Sequence, residues 1–477
     1  MRGPDMAPHA RLAEPEGSWT ALLEPPYTLS AVIVVLCILA PAFSAFITAT
    51  VLPSAIAEIG GLAIYAWAST AYAIASMLGS AGSSVAIGRA GMRRAFVLAA
   101  AVFVVGTAVC ATAPSMTVLV AGRALQGLGG GMLIAGAHSM VREVFPEVLW
   151  PRMLTAISCT WAIPALSGPA VGGVLAGLGL WRTAFWAVAP IAVLVGVLTW
   201  RILPARASVG TESARVPFGR LALVCTSVLC VGSIANAGGA AARVALFAAA
   251  IIFVAVMLRL DGKAPERLFP TGMLSPANRI GKGFWMILLL GMSTTPGGIY
   301  LPLLVQVLHG VTPAASGYLY ALQSLAWTAG TLASASVAAK RVRWAVTLGP
   351  LLTASGFIGL FLTIGSGPVA AIAVALTLVG LGIGTCWAHV AAAVLSAGRP
   401  DEGAVTASMI PSTQLFAVSL GAALSGIIAN AAGLGGGPSR TAAALAGAWL
   451  FGGFVVAPMA ALVIGSRLRP AVPRAAA

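Results

Sequence analysis

The chain has 477 residues, 59% of them hydrophobic and only 8% charged, with a mean hydropathy of +0.98, against about 25% charged residues in soluble domains. Its 56 glycines and 29 prolines sit inside long apolar runs, where transmembrane helices tolerate both, so a disordered low-complexity chain is excluded. A net charge of +15 raises the question of nucleic acid, but the basic residues are scattered in short connections between apolar runs and no nucleic-acid motif accompanies them.

Residues 1–28 hold Arg2, Arg11, Glu14, Glu16 and Glu24 with several prolines and no apolar core, which reads as a retained tail and not as a cleaved signal. Beyond it, runs of about 20 apolar residues, the length that crosses a bilayer, are bounded by charges or by Pro and Gly clusters. Fourteen result, at 29–52, 63–87, 95–113, 117–140, 153–178, 183–203, 218–238, 242–259, 282–307, 314–338, 344–364, 368–394, 404–430 and 441–466. The predicted class is an all-α membrane protein of 14 transmembrane helices.

Charge tests the division independently, because Lys and Arg collect on the cytoplasmic side. All but four of the 27 basic residues lie in the two tails or in connections after even-numbered runs, among them Arg89, Arg93, Arg94, Arg201, Arg206, Arg215, Arg220, Lys340, Arg341 and Arg343. Arg182, Arg243 and Arg440 fall on the opposite side and Arg123 lies within a run. Both termini, the second being residues 467–477, are therefore expected in the cytoplasm of a cell whose inner membrane holds the protein. The six cysteines all fall inside apolar runs and read as small hydrophobes.

Two echoes divide the chain. Val51, Leu52 and Pro53 in the first run recur as Tyr300, Leu301 and Pro302 in the ninth, an offset of 249; the glycines at 127, 129 and 131 in the fourth recur at 380, 382 and 384 in the twelfth, an offset of 253. Residues 29–203 and 282–466 thus read as two parallel six-helix bundles. Between them, 204–281 holds linkers and an inserted central helix pair at 218–259.

In the fourth run, Arg123, Gln126 and Gly127 follow one another on a helix. An arginine there faces a protein interior or wet cavity, or else snorkels to the nearer surface. In the fifth, Gly168 and Gly172, like Gly173 and Gly177, lie four apart on one face and admit a close neighbour, while Pro169 can bend the axis. These stretches resemble the fourth-span and fifth-span signatures of the major facilitator superfamily, and with an inserted pair the chain looks like its fourteen-span drug:proton antiporter branch. That resemblance implies a monomeric exporter without cofactor or metal, whose partners are a small-molecule substrate and the lipid bilayer, and which works by alternating access.

The chain departs from the family pattern in three places. Arg89, Arg93 and Arg94 resemble the basic gating loop after the second span, but Gly88 stands where an aspartate is usual. Pro164 replaces the lead glycine of the fifth-span motif. Ser44, nine residues before Pro53, stands where the branch carries its first-span aspartate. All the acidic residues read as loop or tail residues except Glu58, just past the end of the first run, so the remaining titratable candidates for a proton site are His138 and His389.

The resemblance also places a substrate cavity between the halves, where Gln126, Tyr300, Gln306, Gln323, Trp327, Trp387 and Gln414 offer hydrogen bonds and rings, or serve as interhelical glue and interface anchors. Thr294 to Gly298 predicts a broken helix beside it. The function that follows is export of drugs or other amphipathic small molecules, with export of a specific metabolite, siderophore or lipid as the rival within transport. A membrane-embedded enzyme needs a nucleophile, an acid–base pair or a metal cluster, and the four histidines are far apart without interior carboxylates. A membrane sensor needs a soluble reading domain, for which no connection is long enough. No Gly-rich loop ending in Lys-Ser or Lys-Thr supports nucleotide-driven transport.

Overall fold

The computed structural model describes residues 20–25, 27–204, 217–264, 267–334, 341–399 and 402–468. The tails up to residue 19 and from 469, most of the 204–217 linker with Arg206 and Arg215, and Lys340 lie outside the described residues. Among the described residues the chain is helical throughout, with no strand. Eleven helical segments are long and apolar enough to cross a membrane, and one shorter apolar helix, Phe218–Ile234, joins them.

The first half contains α1 (Thr28–Ile59), α2 (Trp67–Ala111), α3 (Met116–Val144), α4 (Trp150–Thr160), α5 (Ala162–Gly177), α6 (Trp181–Trp186) and α7 (Ala189–Ile202). At about 1.5 Å per residue the 45 residues of α2 run far beyond one bilayer. Gly91, with φ 79° and ψ 158°, breaks the helix, a conformation that a side chain opposes. The two runs read from the sequence as separate, 63–87 and 95–113, thus meet at a kink at Gly91, with Arg89 in the helix before it and Arg93 and Arg94 in the helix after it, where a longer loop is expected. Ser115 starts α3 by accepting the Val118 N–H, the usual work of a hydroxyl at an N-cap.

Then come α8 (Phe218–Ile234) and α9 (Ala240–Gly262), followed by α10 (Arg279–Ser293), α11 (Thr295–Ile299), α12 (Leu301–His309), α13 (Pro313–Ser334), α14 (Val342–Thr363), α15 (Val369–Ala397), α16 (Gly403–Ala431), α17 (Arg440–Phe454) and α18 (Val456–Ser466). Several apolar runs are interrupted two or three residues before a proline. The breaks fall at Trp161 before Pro164, Thr294 before Pro296, Tyr300 before Pro302 and Val455 before Pro458. A proline lacks the N–H for the carbonyl four residues back and its ring crowds that carbonyl.

The repeat is visible in packing. A Cβ on Gly127 or Gly131 would stand 2.2 or 2.0 Å from the carbonyl oxygens of Tyr72 and Ser76, and one on Gly129 would stand 2.5 Å from the Phe103 nitrogen. Their echoes behave alike, with Gly380 and Gly384 at 2.1 and 2.0 Å from the carbonyls of Gln323 and Trp327, and Gly382 at 2.4 Å from that of Gly349. So α3 sits on the two parts of α2 as α15 sits on α13 and α14.

The neighbouring helices α8 and α9 are fastened at both ends of the pair. Trp67 of α2 packs on Gly232 of α8, and Phe269 joins the cluster of Ile74, Met77, Val228 and Met257. Asp261, a loop residue by sequence, lies buried in the last turn of α9, paired with Arg220 and accepting the N–H groups of Leu268 and Phe269. Thr271 then donates its N–H and hydroxyl to Glu402 beside α16, which holds that carboxyl below its usual range. On its outward face α9 exposes Val244, Phe247, Ile251 and Ile252, as a lipid-facing helix does.

Candidate functional site

Arg123 on α3 is 3% exposed and Gln126, one turn on, is 0% exposed, so the arginine turns inward and does not snorkel. Its Nη1 donates to Ser44 Oγ on α1 and to Gln126 Oε1, both at 2.7 Å, and its Nε donates to the Ala68 carbonyl at 3.3 Å. The guanidinium also lies over the Tyr72 ring, 4.1 Å from its centroid, an attraction of the ring's negative face for the cation. Gln126 Nε2 donates in turn to Thr107 Oγ1 at 2.8 Å, and Thr107 donates to the Phe103 carbonyl. Four helical stretches, from α1, both parts of α2 and α3, converge on one buried cation, and every partner is neutral.

Three members of this network are legible as special in the sequence: Arg123, Gln126 and Ser44, the position without a carboxylate. Thr107, Tyr72 and Ala68 are not, because a hydroxyl, a phenol or a carbonyl in an apolar helix gives no periodic signal.

The fifth-span glycines form a seam of α5 against α1 and α13. A Cβ on Gly168 would meet Phe46 at 2.8 Å and one on Gly172 would meet Thr50 at 3.3 Å, so this face packs on α1; Gly173 instead abuts Ala314 of α13, its would-be Cβ 2.2 Å from that Cα. Gly317 closes the junction against Thr50 and Pro169. Gly177, expected to pair with Gly173, has nothing within 4 Å. The rings of Phe46 and Tyr320 add to the seam at 5.4 Å between centroids, and those of Tyr65 and Tyr300 at 5.3 Å. Asn430 of α16 and Asn236 beyond α8 both donate to the Ala63 carbonyl, at 2.7 and 3.2 Å. These contacts gather toward the end of the bundle where α1 finishes at Ile59. Glu58 stands there too, held by Trp181 and Arg182.

The remaining candidates divide. Trp327 and Trp387 meet with centroids 5.4 Å apart, and Gln323 lies one turn before Trp327 on α13, buried at 4% exposure. Gln306 is instead engaged with Ser316 Oγ at 2.8 Å, Tyr300 belongs to the seam, and Gln414 lies half-buried on α16. His138 is exposed and bonds to the Ile134 carbonyl of its own helix, while His389 bonds to the Ser334 carbonyl at 3.0 Å. Neither joins the Arg123 network. Arg89 and Arg94 are exposed, and Arg93 stacks on Trp200 at 3.9 Å. Among the described residues the two ion pairs, Arg182 with Glu58 and Arg220 with Asp261, involve none of these three.

A family profile described as Major Facilitator Superfamily matches residues 34–422. A probable multidrug-efflux transporter of Mycobacterium tuberculosis is 33% identical over 435 residues, covering 88% of this chain and 91% of its own. The multidrug transporter protein MdtP of Bacillus subtilis is 24% identical over 387 residues, 78% of this chain and 70% of its own. Among solved structures, a POT family transporter in complex with 5-aminolevulinic acid superposes with a TM-score of 0.65 at 15% identity, covering 92% of this chain and 96% of its own. A bacterial homologue of the human lysosomal transporter Spinster, in an inward-facing and unoccupied conformation, gives 0.64 at 14% identity, covering 94% of this chain and all of its own. The solved structures speak for the fold alone.

Proposed function

The chain belongs to the Major Facilitator Superfamily of membrane transporters, and on that premise we propose that it exports drugs or other amphipathic small molecules by alternating access. The observation that carries this reading is the 33% identity, over 88% of the chain, to a probable multidrug-efflux transporter. The seam of α1 and α5 against α13 supports it, since close packing of small residues between two halves is what a pivot needs.

In this reading the fourteen runs cross the inner membrane of the cell as two six-helix bundles and an inserted pair, with both termini cytoplasmic, and the protein works as a monomer without cofactor. Gly91 divides α2 into two crossings, α8 makes a crossing of its own, and each interrupted helix makes one. The Ile59 end then faces outside, closed by the seam, and the cavity opens toward the cytoplasm. Gln323, Trp327 and Trp387 form an apolar wall with one free amide for cargo, the usual make-up of a small-molecule site. Export of a specific metabolite, siderophore or lipid is compatible with the same wall.

The driving ion is a separate matter. Ser44 supplies no carboxylate, and His138 and His389 are the remaining candidates for a proton site. Reconstitution into proteoliposomes, with drug efflux measured with and without a pH gradient beside Arg123→Ala, tests both points. Gradient-dependent efflux that Arg123→Ala abolishes supports proton-linked export through this network. Efflux indifferent to the gradient rejects proton coupling, and an unimpaired Arg123→Ala rejects the network's part in transport.

A further inference from the structure

The neutral network around Arg123 is saturated while its charge is not. Ser44 Oγ accepts from Nη1 and itself lies 3.4 Å from Gln126 Oε1, which already accepts from the same Nη1. Gln126 Nε2 is spent on Thr107, and the Thr107 hydroxyl hydrogen on Phe103. Nη2, with two N–H groups, has no hydrogen bond to a described residue.

A guanidinium cannot escape burial by losing its proton, and an isolated charge in an apolar interior is too costly to leave unpaired. The acids whose side chains are described lie elsewhere: Glu58 is held by Arg182 and Trp181, Asp261 by Arg220, Glu402 by Thr271, and Glu24 and Glu143 lie at helix ends or in connections. Nor is the cation a packing requirement. By the offset of 253 the second half carries Leu376 and Val379 in place of Arg123 and Gln126, and α15 packs on its neighbours through the same three glycines without them.

We propose that Arg123 is an anion-binding site: Nη2 takes one monovalent anion, a halide or the carboxylate of a cargo molecule, beside Ser44. This deepens the transport reading of the network, but its test reads binding alone, so its failure and that of drug export are separable. Purified full-length protein in nanodiscs of zwitterionic lipid, in a bulky sulfonate buffer, is titrated with sodium chloride and, separately, with sodium acetate while Tm is followed by intrinsic fluorescence.

At saturation the anion raises Tm by about 2–4 °C, and Arg123→Gln, which leaves the other basic residues in place, removes the rise. Ser44→Asp supplies a carboxylate at the position already 2.7 Å from Nη1, so this variant is stable without added anion and loses the dependence. It decides the question even where Arg123→Gln fails to fold. A response to chloride alone assigns the site to an inorganic anion, and a response to acetate alone assigns it to a carboxylate-bearing cargo. A wild-type protein indifferent to both, or a Ser44→Asp protein as responsive as wild type, overturns the proposal.

Discussion

Gln126 is the residue on which the buried network turns, because it faces two ways: its carbonyl oxygen serves Arg123 and its amide serves Thr107. Replacing it by leucine keeps the volume roughly constant and removes both roles, leaving an N–H of the guanidinium without an acceptor in the core. A buried donor so orphaned costs about 1–3 kcal/mol, so Gln126→Leu is expected to lower Tm in nanodiscs by several degrees. An unchanged Tm means that water fills the gap and that the network is looser than its distances imply. From sequence, Arg123 is conspicuous because charge inside an apolar run is expensive, and Ser44 is conspicuous only against a family pattern. Their contact, across 79 positions of chain, is a product of tertiary packing that no local pattern encodes. Asp261 makes the converse case: among linker charges it reads as solvated, and only the neighbouring Arg220 and the turn at Leu268 and Phe269 make its burial tolerable.

The apolar lengths of the elements are legible because a bilayer sets them, whereas their interruptions are only partly so. Pro164 and Pro458 break their helices three residues upstream, while Pro41, Pro53, Pro169, Pro350 and Pro411 lie inside continuous ones; neighbours decide whether a freed carbonyl finds another partner. The same holds for the glycines of α5. Spacing alone makes Gly173 and Gly177 equivalent, but only Gly173 abuts another backbone. A bulky residue at 173 must push α13 away from α5, since the obstacle is main chain and not the tip of a flexible side chain. Gly173→Val is therefore expected to cut drug efflux from proteoliposomes at least tenfold, and Gly177→Ala to leave it within about twofold. Equal effects at both positions mean that the seam is not where the halves bear on each other.

At the scale of the whole molecule, the two halves share a packing scheme but not a chemistry. The repeated glycines hold α3 and α15 alike, yet the buried cation stands on α3 alone and the tryptophan pair on α13 and α15. A sequence meets every conformation of a transporter at once, which is why it does not tell which end is shut. Here the Ile59 end is shut, with Gly426 of α16 so near α2 that its would-be Cβ lies 3.0 Å from the Ala66 Cβ. That is slightly shorter than the range of about 3.5–4.5 Å for Cβ atoms joined by a disulfide, a crowding relieved by a small outward shift of either helix. In a protein carrying Ala66→Cys and Gly426→Cys, mild oxidation is expected to cross-link the halves, detected as a gel shift after cleavage between them. The native cysteines set the control, because wild type treated alike shows none. Alternating access requires this end to part on each cycle, so the cross-linked protein stops transporting and a thiol reductant restores it. Continued efflux from fully cross-linked protein means that cargo leaves by a route that never opens this end, and the rocking of the halves about the α1, α5 and α13 seam is then not the transport motion.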